Sequence, residues 1–311
     1  MPSPTVSICI PAFNAKRYLA ETLSSVLAQQ FNDWELIVTE DGSDDGTAEI
    51  VDQFATTVTQ PVRYERHPQN QGLPATRNTG IRSARAEWIA LLDSDDLWEP
   101  THLADLVSTA RTTSAQLVHA GSVLFDSDTG RPLETRAPTA DVEATFPESL
   151  FTARYIIQPA SVLLHRTVWE LVGGFNPAFR YVEDREMWMR CARAGVKFAY
   201  TGRETCRYRK HALALSSRSA EMAEAGAAVF DQHLDWEAVP ADLRLRYAAN
   251  TWAAAGRLRQ RSQPQLAAHH FRRACAIQWK ASWQLRALAL NILGRFWRAS
   301  DSKCSPFSAT Q

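Results

Sequence analysis

The sequence predicts an α/β protein: a mostly parallel sheet flanked by helices, followed by an all-helical C-terminal extension. Three observations lead there. Short apolar runs alternate with helical patterns through the first half, the signature of βα units. Each run ends in a polar cluster, as expected where a parallel sheet offers its carboxyl edge to a ligand. From about residue 219 the strand signals stop and the composition shifts to Ala, Arg, Gln and Trp.

The four apolar runs at 5–10, 35–38, 62–66 and 88–92 read as strands. Helical periodicity fills the intervals at 18–29, 47–54 and 73–84, and another helix runs from Pro100 to about Thr112. Residues 116–125 read as one further strand, and 126–147, polar and Pro-containing without a strong period, as a loop-rich connection. Strand returns at 161–165 and helix at 166–172, stopped by Gly173-Gly174; 185–194 reads as helix and 196–200 as strand. The extension divides into helices near 219–235, 241–258, 265–278 and 281–298. A boundary near 216 gives two domains, 1–215 and 216–311.

With 45% hydrophobic and 22% charged residues in 311, the chain can bury a globular core, which excludes fibrous and wholly disordered classes. The formal charge of zero hides an asymmetry. Residues 241–311 carry twelve Lys/Arg against two Asp/Glu, so the end of the chain is +10 and residues 1–240 are −10. A basic end suits an anionic surface, whether lipid headgroups, nucleic acid or an acidic partner; solvated helix faces are the alternative. Five widely spaced cysteines without a C-x-x-C pattern argue against a disulfide framework or zinc site and fit a reducing cytosol. The start, Met1-Pro2-Ser3-Pro4-Thr5, lacks the features of a signal peptide, and no membrane span is expected.

The chain contains no G-x-G-x-x-G, Walker A, H-E-x-x-H or G-x-S-x-G pattern, which weighs against dinucleotide oxidoreductases, P-loop NTPases, zincins and α/β-hydrolases. Carboxylate-rich strand ends take their place. In Asp93-Ser94-Asp95-Asp96, carboxylates at i and i+2 of an extended segment project to one side and can address a hard cation, Mg²⁺ or Mn²⁺, and its ligand together. An acidic helix N-terminus capped by Asp95 or Asp96 is the alternative. Glu40-Asp41-Gly42-Ser43 follows the second strand, where one carboxylate can accept from a base imide N–H or sugar hydroxyls. Asp44, Asp45 and Thr47 read as a turn and helix cap. Arg77 enters a helix from a turn and can reach an anionic group, a surface ion pair being the alternative. Asp184 stands at a helix start, where a cap is the simplest role.

Taken jointly and in order, these clusters resemble family 2 glycosyltransferases with the GT-A type nucleotide-sugar fold. The matching stretches are Val6-Ser7-Ile8-Cys9-Ile10-Pro11-Ala12-Phe13-Asn14, Glu40-Asp41-Gly42-Ser43, Ala75 to Ile81, Asp93-Ser94-Asp95-Asp96, Gly173-Gly174-Phe175 and Glu183-Asp184, over roughly residues 4–215. The resemblance implies that Pro11, Ala12, Phe13, Asn14 and Asp41 frame the nucleobase and ribose. It implies that Asp93, Ser94 and Asp95 form the D-x-D element, with Asp95 the direct metal ligand, and that Asp184 is the catalytic base. Arg77 would assist on the diphosphate, and His211, a looser match, would lie near the diphosphate or metal. Glu40 replaces the commoner Asp before Asp41, and Phe13 a commoner Tyr. The implied reaction is inverting transfer from a nucleotide-sugar donor to a glycan or glycolipid acceptor, in surface polysaccharide or glycoconjugate synthesis at the cytoplasmic face of a membrane. UDP is the expected nucleotide, because Asp41 suits the imide N–H of uracil.

Two other readings stand beside this one. A sugar-phosphate nucleotidyltransferase would want a Gly-rich, Arg/Lys-bearing loop where Pro11-Ala12-Phe13-Asn14 stands. A non-catalytic nucleotide- or partner-binding module does not account for Asp41, Asp93, Asp95 and Asp184 together. Beyond the basic end, nothing supports a nucleic-acid partner. In 283–298, Leu285, Leu288, Ala289, Ile292, Leu293 and Phe296 share one face, expected to pack on the catalytic domain or, alternatively, to lie peripherally on a membrane.

Overall fold

The computed structural model describes residues 3–211 and 218–301, with side chains of the last helix as far as Ile292. The chain divides into two compact units, 1–214 and 215–311. The expected boundary residue, 216, lies outside the described residues.

In chain order the first unit contains β1 (Val6–Ala12), α1 (Leu19–Leu27), β2 (Trp34–Glu40), α2 (Thr47–Ala55), β3 (Val62–Arg66), α3 (Leu73–Ser83), β4 (Trp88–Leu91), β5 (Leu97–Trp98), α4 (His102–Thr113), β6 (Leu117–His119), β7 (Ser122–Asp126), β8 (Pro132–Arg136), α5 (Ala140–Ala144), α6 (Glu148–Phe151), β9 (Val162–His165), α7 (Arg166–Val172), α8 (Glu183–Arg193), β10 (Phe198–Tyr200) and β11 (Cys206–Lys210). Seven strands form the main sheet in the order β10-β6-β9-β4-β1-β2-β3. Only β9 runs against its neighbours, so the mostly parallel α/β architecture expected from the sequence is the one observed.

The two central strands explain the pattern. Every residue of β1 and β2 is buried, as a parallel strand covered on both faces requires. One face packs Ile8, Ile10, Leu36 and Val38 against Leu19, Leu23 and Val26. Glu35, fully buried within β2, is an exception with an explanation: Ser7 Oγ (2.6 Å), Arg85 N (2.6 Å) and Arg85 Nε (2.8 Å) donate to it, and Arg63 lies at 3.2 Å. Burial pushes its carboxyl up, but these donors more than offset that and hold it below the usual value.

A four-stranded sheet, β5-β11-β7-β8, lies beyond the carboxyl end of β4, and here the structure corrects the sequence reading. The single strand expected at 116–125 is two, β6 in the main sheet and β7 in the second. The chain changes sheets at Gly121, where a Cβ would meet Glu204 Cγ at 2.9 Å and the Arg136 carbonyl oxygen at 3.1 Å. Apolar periodicity runs through such a crossing unchanged. The connection expected at 126–147 contains β8 and α5, and β11, rich in cations, was not expected as a strand. No helix begins within Asp93-Ser94-Asp95-Asp96, so the acidic-cap alternative does not apply; the segment carries the chain from β4 to β5.

The second unit contains α9 (Ser219–Gln232), α10 (Ala241–Arg259), α11 (Pro264–Ile277) and α12 (Ala281–Asp301), close to the expected helices. Small residues let these helices approach: Ala249, Ala253, Ala267, Ala268 and Ala274 surround Phe271, whose ring lies against Gly256. Glu224 ties three helices together, accepting from Arg259 Nε at 2.7 Å and lying 3.0 Å from His270 Nε2. On α12 the buried residues are Trp283, Ala287 and Leu290, whereas Leu285, Leu288 and Ile292 are exposed. Within the second unit the packing face of α12 is therefore that of Trp283, Ala287 and Leu290, and the apolar face singled out in the sequence takes no part in it as far as side chains are described; Leu293 and Phe296 lie outside the described side chains.

Candidate active site

The polar ends of β1, β2 and β4 meet at one edge of the main sheet. Pro11 and Ala12 are the buried last residues of β1; Phe13 follows, half-exposed, and Asn14 turns the chain at φ 52°. Asn14 N donates to Ser43 Oγ (3.0 Å), and Ser43 Oγ donates to the buried Glu40 (2.5 Å), so the loops after β1 and β2 are joined. Asp45 forms the expected turn, accepting from Thr47 N and Oγ1 at 3.2 and 2.7 Å.

Asp41 is almost fully buried, and the structure gives it a task of its own. Oδ1 accepts from Gln71 N (2.8 Å) and lies 2.8 Å from His67 Nδ1; Oδ2 accepts from Gly72 N (2.8 Å). The carboxylate thus pins the 67–72 loop to the strand edge and sets the entry to α3. Gly42, at φ +81°, permits the approach: a Cβ there would lie 2.7 Å from the Gln69 carbonyl carbon. The loop packing that surrounds Asp41 is a contact network that its place in the sequence does not disclose.

The three aspartates after β4 have distinct surroundings. Asp93 Oδ1 accepts from Arg77 Nη2 at 2.6 Å. Asp95, about a third exposed, has Oδ2 2.9 Å from His211 Nε2. Asp96 is buried and accepts from Arg209 N at 2.8 Å, fastening the segment to β11. Burial, then Asp95 and Asp93, push the Asp96 carboxyl well above the usual carboxylate range. Burial also raises Asp93, with Asp95 and Asp184 adding to the effect and Arg77 opposing it. Ser94 accepts from Thr22 Oγ1 through its carbonyl at 3.0 Å.

Arg77, on α3, is 2% exposed. Nη2 reaches Asp93, Nη1 donates to Glu183 at the start of α8, and the guanidinium lies 5.3 Å from the Phe175 ring centre. Burial works against its charge, but Asp93 and Glu183 outweigh that and hold it charged. Both ends of the guanidinium are therefore held by carboxylates of the chain, and Arg77 joins two halves of the site instead of standing open to a diphosphate. Burial pushes Glu183 up to about 7, against Arg77 and with help from Asp184. Asp184 is partly exposed, and its charge bears on Arg77, Asp93 and Glu183 alike. It sits in the first turn of α8 and not at the cap, which is Val182 in the left-handed conformation at φ 53° and ψ 26°. A β-branched residue there costs about 1–3 kcal/mol and persists only where surrounding contacts over-determine it.

Asn78, beside Arg77, fixes the turn that leads towards α8. Its Nδ2 donates to Phe175 O (2.7 Å), and its Oδ1 accepts from Phe175 N (2.9 Å) and Trp169 Nε1 (3.1 Å). A Cβ on Gly174 would come within 2.6 Å of Asn78 Oδ1 and Trp169 Nε1, so only glycine fits. Sequence reasoning quoted the stretches that hold Asn78 and Glu183 without assigning those residues roles, and did not single out His67 or Arg209. The available signal was α3 itself, whose Arg77, Asn78 and Thr76 are buried in a helix of few apolar residues.

A divalent cation fits this edge. Asp95 supplies a partly exposed hard-oxygen donor, and the adjacent His211 has a buried Nδ1 without a hydrogen-bond partner. Among the described residues no group of three or more His, Cys, Asp or Glu is placed to hold a metal. No helix among the described residues is long and apolar enough to cross a membrane.

Comparison with known proteins places this architecture. The family model for glycosyl transferase family 2 matches residues 7–169. EpsH of Bacillus subtilis, named as a glycosyltransferase, is 27% identical over 74% of this chain and 68% of its own length. TuaG of the same organism, named as a glycosyltransferase of teichuronic acid biosynthesis, is 29% identical over 65% of this chain and 77% of its own. Among solved structures, S. aureus TarS 1-349 in complex with UDP-GlcNAc superposes with a TM-score of 0.68 at 16% identity, covering 93% of this chain and 88% of that one. The mannosyltransferase PcManGT from Pyrobaculum calidifontis, with GDP-Man and Mn²⁺, gives 0.60 at 18% identity, covering 94% and 87%. The likeness to solved structures shows the GT-A type fold, and the family model, matching more than half of the chain, shows that this protein belongs to glycosyl transferase family 2.

Proposed function

We propose that this glycosyltransferase moves a sugar from a UDP-sugar to a hydroxyl of a glycan or glycolipid acceptor, with inversion at the anomeric carbon, in the synthesis of a surface polysaccharide. One observation carries the reading: Arg77 ties Asp93, at the end of β4, to Glu183, beside Asp184, so that a donor-side and an acceptor-side carboxylate share one edge of the sheet. The UDP-GlcNAc and UDP complexes of TarS support UDP, and the names of TuaG and of the Escherichia coli chondroitin synthase support a polysaccharide product.

In this mechanism Phe13, half-exposed at the end of β1, lies against the nucleobase. Asp41 shapes the wall beside it by holding the 67–72 loop. An acceptor hydroxyl has a pKa far above 7, so Asp184 takes its proton as the oxygen attacks the anomeric carbon and the bond to the diphosphate breaks. Bound Mg²⁺ or Mn²⁺, held by Asp95 with Asp93 and His211 beside it, would supply Lewis-acid stabilisation of the departing diphosphate. Asp93, fixed by Arg77, keeps the segment after β4 in register with α8.

We place the enzyme at the cytoplasmic face of a membrane, in peripheral contact through the second unit. Trp279, Leu285, Leu288 and Ile292 are exposed, and the +10 charge of residues 241–311 complements anionic lipid.

Asp184→Asn is expected to lower transfer by about 10²–10⁴-fold while UDP affinity stays within several-fold; equal losses of binding and turnover would make the residue structural. Calorimetric titration of UDP, GDP and dTDP with Mn²⁺ is expected to favour UDP. Chelator and Asp95→Ala should each weaken UDP binding by about tenfold or more, without adding to one another, whereas an affinity indifferent to both would remove the metal role. The protein is expected to float with phosphatidylglycerol vesicles and not with phosphatidylcholine vesicles, an attachment that Leu288→Glu weakens. Flotation with neither, or self-association through this face, would contradict the lipid assignment.

A further inference from the structure

The Asp184 side chain is aimed by its backbone. Its Oδ1 accepts from Arg185 N, the next residue, at 2.7 Å, a bond that orients it only within its own turn. The first turn of α8 has no side-chain cap, and its capping residue, Val182, is buried in a left-handed conformation that a β-branched residue rarely adopts. Something outside the turn must hold it. Glu183 is the residue placed to do so: 6% exposed, it receives a hydrogen bond from Arg77. Arg77 is itself immobilised by Asp93, by the Phe175 ring and by its position beside Asn78 on α3.

We propose that Glu183 is a positioning residue that fixes the first turn of α8 through its hydrogen bond to Arg77, and so directs the Asp184 carboxylate by the reach of its side chain and not by its charge. This rests on the reading of Asp184 as the base. The direction of the base matters because displacing a reacting group by about 1 Å can cost on the order of 10²-fold in rate. A residue acting through geometry alone moves kcat and leaves donor binding in place.

Two substitutions separate reach from charge. Glu183→Gln keeps the length and an acceptor oxygen but loses the charge; Glu183→Asp keeps the charge but is shorter by one methylene. With UDP-GlcNAc as donor, the Gln variant is expected to keep kcat within about fivefold and the Asp variant to lose about 30-fold or more, both with donor KM within about threefold. Hydrogen exchange gives a readout independent of activity: amides in the first turn of α8 should lose protection in the Asp variant and keep it in the Gln variant. An active Asp variant with an inactive Gln variant would show that charge is what matters and overturn the proposal. So would wild-type kcat in both variants, or a KM that rises in step with the loss of kcat. The Gln variant suffices if the Asp variant does not fold, since its inactivity alone contradicts a role by reach. Should the wild-type protein turn over no nucleotide sugar, the proposed function fails, while exchange still decides the role of Glu183: unchanged protection in the Asp variant overturns it.

Discussion

One buried cation organises this molecule's site. Arg77 carries a full charge at 2% exposure because two carboxylates, Asp93 from the neighbouring strand end and Glu183 from 106 residues further along the chain, meet it there. An unpaired guanidinium in that position would be prohibitive, and removing one partner of a buried pair costs about 3–5 kcal/mol. The pairing therefore constrains where β4 may end and where α8 may begin. Asp93 and Glu183 follow from that constraint, and Asp95 and Asp184, each displaced by a residue or two, inherit their places.

The fold supplies what Arg77 needs. Fully buried β1 and β2 give a rigid edge, and α3 lies close enough for Gly80 to approach Thr39 and Cys9. The segment after β4 then crosses into the second sheet, where Asp96 is fastened to β11 by Arg209. Arg209 also donates to the Asp95 carbonyl at 2.7 Å and pairs with Glu21 at 2.6 Å, so the partly exposed Asp95 carboxylate stands on a fixed backbone. Tasks are thereby separated: buried charges set positions, and the partly exposed Asp95 and Asp184 are the carboxylates that the proposed mechanism assigns to ligands.

Much of this was legible in the amino-acid sequence. The βα alternation, the helical extension and the carboxylate clusters at strand ends appear as local patterns, and the order of the clusters identified the family. Contacts between distant segments were not legible. Nothing in 116–125 marks Gly121 as the crossing between sheets, because its requirement comes from Glu204 and Arg136. Arg77 reads as a ligand-facing cation until Glu183 is seen to hold its other end. Asp41 reads as an open acceptor until the 67–72 loop closes over it. For α12, periodicity finds an apolar face, yet Trp283, Ala287 and Leu290 cover the opposite side, and only packing shows which side is inside.

The central claim is that Asp93 and Glu183 are coupled through Arg77, and a double-mutant cycle tests it most directly. The unfolding of the first unit would be measured for Arg77→Met, Glu183→Met and the double variant. If the buried pair is what joins the strand end to the helix, Arg77→Met strands both carboxylates and Glu183→Met leaves Arg77 with Asp93 alone, whereas in the double variant only Asp93 loses its partner. The double variant should then lose less stability than the two single losses combined, by about 1–3 kcal/mol. Losses that simply add would mean that Arg77 and Glu183 stabilise the protein independently, and that the site is not assembled around their contact.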